Sequence, residues 1–246
     1  MLKMQFFKDI KNVVILTLVV LFFIGIPHEN GRFILWVLSG VLTAVLVDAV
    51  IHRLIRHSWD FPKSAIISGL IVSGVLSFDE SFWLIFVFSS LAIISKYIIR
   101  LHKKHFLNPA NMALFIATLF HFPLTWILES NRYVLILAGL YFVYRLKKWG
   151  QVIGFIAVFS ALMFIDGAHP FNMISWFFVF IMLIEPKTSG FGFVRGIVFG
   201  LIAGIVSFLI LTFFPQYDFF VVGLFIANLC NPVLDHWENK RKPQLH

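Results

Sequence analysis

The stretch from His105 to Met112, His-Phe-Leu-Asn-Pro-Ala-Asn-Met, sets an imidazole and two amides around an Asn108–Pro109 pair. Proline suits the first position of a helix and bars its predecessor from the helical region, and asparagine is a favoured cap. A helix is therefore predicted to start at Pro109, with Asn108 as its cap and Asn111 in its first turn. As punctuation the stretch needs only Asn108 and Pro109. A helix start also offers unpaired N–H groups and partial positive charge. Joined by His105, Asn108 and Asn111 beside apolar walls, these groups suit a planar heterocycle with carbonyl and N–H edges, such as a flavin, or a small polar solute.

Three other places carry chemistry-bearing residues. Phe61–Gly74 contains Ser64, Ser68, Gly69, Ser73 and Gly74, a small-residue face that reads either as close helix–helix packing or as backbone approach to a flat ligand at Gly69. Leu183–Gly196 opens with Glu185–Pro186 and continues through Thr188 and Ser189, hydroxyls placed to cap nearby helix ends. Asp48 is the main acid within an apolar run, a functional candidate by position, with His52 and Arg53 near enough in sequence to pair with it. Asp48 and Glu185 are the candidates for an ion pathway; Asp166 and Asp235 fall at the ends of apolar runs. No Ser–His–Asp arrangement, P-loop or GxGxxG occurs, so no catalytic set is assigned. With one cysteine, Cys230, and no HExxH spacing, no metal site is expected.

The elements that must position these residues are long apolar runs. The chain of 246 residues is 60% hydrophobic and 13% charged, too few charges to cover a soluble surface. Its mean hydropathy is +0.91. Ten candidate membrane spans follow, at roughly 11–27, 33–52, 62–78, 81–99, 109–128, 131–147, 150–166, 170–185, 192–214 and 217–235. The shorter ones are expected to be broken or partly re-entrant. The first run follows a basic start but lacks a small-residue cleavage site, so no cleavable signal is expected. Of the 20 basic residues, all but Arg32 and Arg132 fall in alternate loops. That asymmetry places both termini in the cytoplasm and explains the net charge of +8 by topology. Dispersed over short loops, the basic residues do not form a nucleic-acid surface. Trp36, Trp83, Trp126, Trp149 and Trp237 read as interfacial anchors.

The sequence repeats weakly at an offset near 110. Ala113–Leu119 (ALFIATL) matches Gly223–Leu229 (GLFIANL), and the segment from Asp60 aligns loosely with that from Ala168. With five spans per half, the halves have opposite orientation, which makes an inverted repeat. The expected fold is an all-α polytopic membrane protein, a single domain over 1–246 with repeats at about 11–128 and 131–235.

Four segments, Ser64–Ser77, Ser95–Phe115, Phe180–Gly204 and Leu224–Trp237, resemble the NqrB/RnfD family in order and spacing. The family's members are membrane components of the Rnf ferredoxin:NAD oxidoreductase and of the sodium-pumping NADH:quinone reductase. The resemblance rests on Gly69, on Phe106-Leu-Asn-Pro-Ala110, on Glu185-Pro-Lys-Thr-Ser189 with Arg195–Gly196, and on Ala227–Asn228, Pro232 and Asp235, and it covers most of residues 40–240. It implies ten spans in two inverted five-helix repeats, similar to the urea-transporter fold. It also implies a non-covalent flavin, riboflavin or FMN, near the Asn-Pro-Ala helix start. Ser68, Gly69, His105, Asn108, Pro109, Asn111 and Thr188 are then the candidate flavin-binding residues. The family's second flavin, FMN esterified to a threonine in an external S-x-A-T loop, has no counterpart. The connection from about Phe122 to Asn131 has no room for that loop and the motif is missing, so no covalent FMN is expected.

The expected function is that of one subunit among several in the bacterial-type inner membrane. It would relay electrons across the bilayer with other membrane and soluble redox subunits, with coupled ion movement left open. The alternative is a transporter or channel for a small polar solute such as a flavin.

Overall fold

The computed structural model describes residues 9–26, 31–56, 61–101, 104–189 and 192–241. Lys103 and the side chains of Asp235 and Trp237 lie outside the described residues. The described chain is α-helical. In order it runs α1 (Ile10–Gly25), α2 (Gly31–Arg56), α3 (Lys63–Val75), α4 (Trp83–Ile98), a two-residue β-pair (Arg100–Leu101 with Lys104–His105), α5 (Pro109–Leu119), a 3-10 turn (Ile127–Glu129), α6 (Arg132–Leu146), α7 (Trp149–Ile165), α8 (Pro170–Met173), a π-helical turn (Phe178–Met182), α9 (Phe193–Phe213) and α10 (Phe219–Arg241). Two helices are long and apolar enough to cross a membrane, over Gly31–Leu54 and Phe193–Phe213.

The chain divides into two compact units, Met1–Ile99 with Pro109–Ala138, and Arg100–Asn108 with Gly139–His246. The division falls inside α6, and the β-pair with Asn108 belongs to the second unit. Gly139, at the start of the second unit's share of α6, has no Cβ, and the Phe180 side chain lies where one would be.

In the first unit α2 and α4 run parallel. Gly40 faces Ile85, Ala44 shares a core cluster with Ile93 and Ala65, and Asp48 meets Lys96, so contacts climb both helices together. A Cβ on Gly69 would lie 2.9 Å from Val41 Cα and 3.0 Å from the Gly40 carbonyl. The open side of Gly69 is therefore filled by α2. The glycine serves helix–helix packing.

Helix α5 is shorter than the run predicted at 109–128: it has 11 residues and stops at Leu119. His121 takes a left-handed φ of 59° and Pro123 follows, so the chain turns back. It then pairs with the end of α3, with Ser77 N donating to the Pro123 carbonyl and Thr125 N to that of Val75. At 13 and 11 residues, α3 and α5 are both short. Their lengths, about 20 and 16 Å at 1.5 Å per residue, are less than a bilayer core of about 30 Å.

Trp36 is fully buried and donates from Nε1 to the Ser73 carbonyl, so it packs in the core and is not an interfacial anchor. Its position on α2 faces α3 across the small residues there. Trp83 and Trp149 are exposed.

The second unit is built on α7, α9 and α10. Gly150 lies against the Phe193 carbonyl, Gly154 against that of Ile197, and Gly200 and Gly204 against Gln151 and Phe155 of α7. These contacts rise together, so α7 and α9 are parallel and touch backbone to backbone. Helix α10 returns antiparallel, with Gly223 on Ala203 and Ser207 of α9 and Asn231 at Arg195. The run predicted at 170–185 is broken into α8 and the π-helical turn, whose five residues are all buried. Phe155, Phe159, Phe178 and Phe220 form an aromatic core beside it, with Phe178 and Phe220 stacked at 4.7 Å.

Candidate functional site

The second unit gathers a buried polar cluster where α7 and α9 begin. Helix α6 ends at Leu146, Lys147 after it adopts φ 56°, and the Lys148 amide returns to the Val143 carbonyl. The sharp turn directs Lys148 inward. Its side chain is 4% exposed and Nζ donates to the Ser189 carbonyl at 3.1 Å. Burial pulls the Lys148 ammonium down to about 8; the charge of Arg195 acts in the same direction and that of Glu185 opposes it.

Glu185 follows the π-helical turn. Its Oε2 accepts from Thr188 Oγ1 at 2.7 Å, and its carbonyl accepts from Ser189 Oγ at 2.7 Å. The backbone amides of Thr188 and Ser189 also turn back to that carbonyl. The Thr–Ser pair thus closes the end of the broken helix, a capping role its residue types predict. Arg195, in the first turn of α9, is 7% exposed and donates from Nη2 to Asn231 Oδ1 at 3.0 Å. Asn231 Nδ2 donates to the Thr188 carbonyl at 2.6 Å. Asn108, also buried, reaches the same region, donating from Nδ2 to the Met182 carbonyl at 3.5 Å, the long limit for such a bond.

Three segments far apart in sequence therefore meet through hydrogen bonds: the one ending in Asn108, the Met182–Arg195 segment, and the Asn228–Asn231 turn of α10. Asn228 lies three residues before Asn231 on the same face of α10 and is fully buried. Among the described residues neither its Oδ1 nor its Nδ2 has a partner. Gln151, one turn into α7, is buried against Gly196.

Compared with known proteins, the chain matches no family model and no curated sequence.

The remaining predicted residues fall in different places. His105 is half-buried, with Nδ1 3.4 Å from the Leu107 carbonyl. Pro109 opens α5 as its sequence predicts, and Pro109 and Asn111 are buried. Ser68 and Gly69 are buried in α3 of the first unit. An apolar cavity of about 320 Å³ lies in that unit between α1, α2 and α3, lined by residues such as Phe22, Phe33, Val41, Ile66 and Leu70. Asp48 bonds across to α4: its Oδ1 accepts from Lys96 Nζ and from Tyr97 Oη, both at 2.8 Å. The parallel course of α2 and α4 brings those residues to it, whereas sequence proximity favours its own helix. Among the described residues no group of three or more histidines, cysteines and acids converges as a metal site would require.

Lys148, Gln151, Asn228 and Asn231 are the cluster members that sequence motifs leave without a role. The signal present was polarity at helical spacing: Asn228 and Asn231 at i, i+3 in an apolar helix, and Lys148 with Gln151 likewise.

Proposed function

We propose that the chain is a polytopic membrane subunit that binds a non-covalent flavin, riboflavin or FMN, and relays electrons with partner redox subunits. The observation that carries this reading is the convergence just described. Three of the four segments that resemble the NqrB/RnfD family are joined by the Asn108–Met182, Asn231–Thr188 and Arg195–Asn231 bonds. The fit to a flavin rests on chemistry present in that unit. Asn228 offers an amide donor and acceptor that no described residue uses, in a fully buried position, and Phe178 and Phe220 supply flat apolar surface in the same unit. Bound there, an isoalloxazine ring would supply one- or two-electron chemistry. The chain's own residues would position its polar edge, exclude water and set a low dielectric.

Ten spans in two inverted five-helix repeats are the architecture we infer. Each unit holds a parallel pair, α2 with α4 and α7 with α9. Asn108 and Asp218 stand immediately before α5 and α10 at the same offset as the ALFIATL and GLFIANL segments, and Asp218 Oδ1 accepts from Val221 N as a cap does. Lipid contact is supported by the row Leu35, Leu38, Leu42, Leu46 and Val50 on α2, all more than half exposed. The basic loops favour the inner membrane of a bacterial-type cell with both termini cytoplasmic.

The test is the visible spectrum of the detergent-purified chain, with the cofactor identified after extraction. Flavin bands at near one equivalent per chain are expected. A colourless protein that moves flavin or another small polar solute into liposomes would replace this reading with the transporter one.

A further inference from the structure

The apolar cavity of the first unit has a shape that the flavin reading does not use. Its lining follows one face of α1, from Ile15 through Val19 and Phe22 to Ile26, and one face of α2, from Phe33 to Val41. At 1.5 Å per residue these runs are about 16 and about 12 Å long, so the cavity is a slot. Phe22, Phe33 and Leu70 are buried and form its floor, whereas Phe23, Ile34 and Leu38 are exposed and form its rim. Leu38 also belongs to the exposed row on α2, so the slot is continuous with the surface that the membrane reading turns to lipid.

Every described residue that lines the slot is apolar. Sites for polar ligands carry a few placed polar groups, and a polar molecule here would lose its hydrogen bonds. An occupant must therefore be hydrocarbon along the length of the slot. One end is shut: the rings of Phe22 and Phe33 meet at 5.8 Å, and Phe33 stands edge-on to Phe78 at 5.3 Å. Toward the other end the lining faces of α1 and α3 turn basic. Lys11 stands one turn before Ile15, and Lys63 one turn before Ile66. Lys11 is exposed, and Lys63, partly exposed, sits with Nζ 2.6 Å from Asp9 Oδ2.

We propose that the slot holds one acyl chain of a phospholipid of the cytoplasmic leaflet, with the headgroup phosphate at Lys11 and Lys63. A long apolar slot that ends at two cations has the polarity of such a lipid, hydrocarbon within and phosphate at the rim. An isoprenoid tail matches the slot but leaves the cations without a part. The basic loops place this end at the cytoplasmic face, where anionic lipids attract such residues. The proposal rests on the membrane reading and is independent of the flavin.

The test is native mass spectrometry of the detergent-purified full chain, followed by thermal unfolding of the delipidated chain with added lipids. One phospholipid retained per chain is expected. Long-chain phosphatidylglycerol should raise the Tm, and the same headgroup on short chains should raise it much less. Lys11→Gln, a change at the surface, should weaken long-chain phosphatidylglycerol about tenfold, the loss of one charge-assisted bond, and leave binding of a polyprenol unchanged. Val19→Phe fills the slot and should lose the retained lipid while the delipidated variant unfolds no earlier than wild type. Because that variant can fail to fold, the chain-length comparison on the wild type stands beside it.

A Tm shift independent of chain length overturns the proposal, as does equal lipid retention by a folded Val19→Phe variant. A polyprenol that displaces the phospholipid assigns the slot to an isoprenoid tail and overturns it too. A chain that needs detergent but retains and binds no phospholipid overturns this proposal alone. A chain that stays in aqueous solution without detergent overturns the membrane reading and the lipid site together.

Discussion

Arg195 and Asn231, 36 positions apart, are joined by a 3.0 Å bond that ties the first turn of α9 to the far half of α10. Asn231 also holds the Thr188 carbonyl, so one amide serves three segments. Asn231→Leu leaves both the guanidinium and the carbonyl buried without it. A loss of about 2 kcal/mol or more is expected, read as a lowered Tm in detergent. A Tm equal to wild type would show that the amide does not hold these segments together.

Asn108→Ala is expected to lower flavin occupancy in preparations where the wild-type chain is flavin-bound. Extraction and quantitation of flavin per chain give the answer. Full occupancy in the variant would remove Asn108 from the site.

Lys148 gives a pH dependence of defined sign. Burial, with Arg195 behind it, holds its ammonium down to about 8 from an ordinary 10.5, against the pull of Glu185. Between those values the unfolded chain keeps a proton that the folded chain has released, so stability rises with pH across that window. Below it both states are protonated and the cost of the buried charge is fully present. Thermal unfolding followed from about pH 7.5 to about pH 10 should show this rise in the wild type and lack it in Lys148→Met.

Gly200→Ala sets a side chain against the Gln151 carbonyl and 2.7 Å from the Phe155 amide nitrogen, both backbone atoms that cannot swing away. Separation of α7 from α9 should cost about 1–3 kcal/mol. Gly31→Ala meets nothing within 4 Å and serves as the control, with stability unchanged or slightly raised. Equal Tm values for the two variants would contradict the close backbone contact.

Asp48→Asn removes the charge that Lys96 and Tyr97 share. Lys96 is partly buried, so losing its carboxylate costs less than the loss of about 3–5 kcal/mol in a fully buried pair, and replacing both members with apolar residues costs less still. Tm values for Asp48→Asn and for the Asp48→Leu, Lys96→Met double variant should therefore differ, with the double variant the more stable.

The helical pattern was plain in the sequence because long apolar runs bounded by charge and proline leave little choice of element. Pro109 opens its helix where the Asn–Pro pair puts it. Breaks inside runs were harder to read. The left-handed turn at His121 and the π-helical turn at Phe178–Met182 interrupt segments whose composition is apolar throughout. Partners across helices were hidden for a related reason. The link from Asp48 to Lys96 depends on α2 and α4 running parallel, which local spacing does not report. Trp36 read as an anchor because its residue type favours interfaces, and only the small residues of α3 make room to bury it. Lys148 and Arg195 carried the topological signal of loop cations, and that signal is blind to burial.

The glycine seam between α7 and α9 has a mechanical consequence. With Gly150, Gly154, Gly200 and Gly204 all against backbone or first side-chain atoms, the pair has no cushion of rotamers to absorb sliding or screwing. The two helices behave as a single rod. A change of shape within the second unit therefore has to leave that rod intact and fall on its flanks, where α10 and the interrupted Phe178–Met182 segment are held by side chains that can change rotamer.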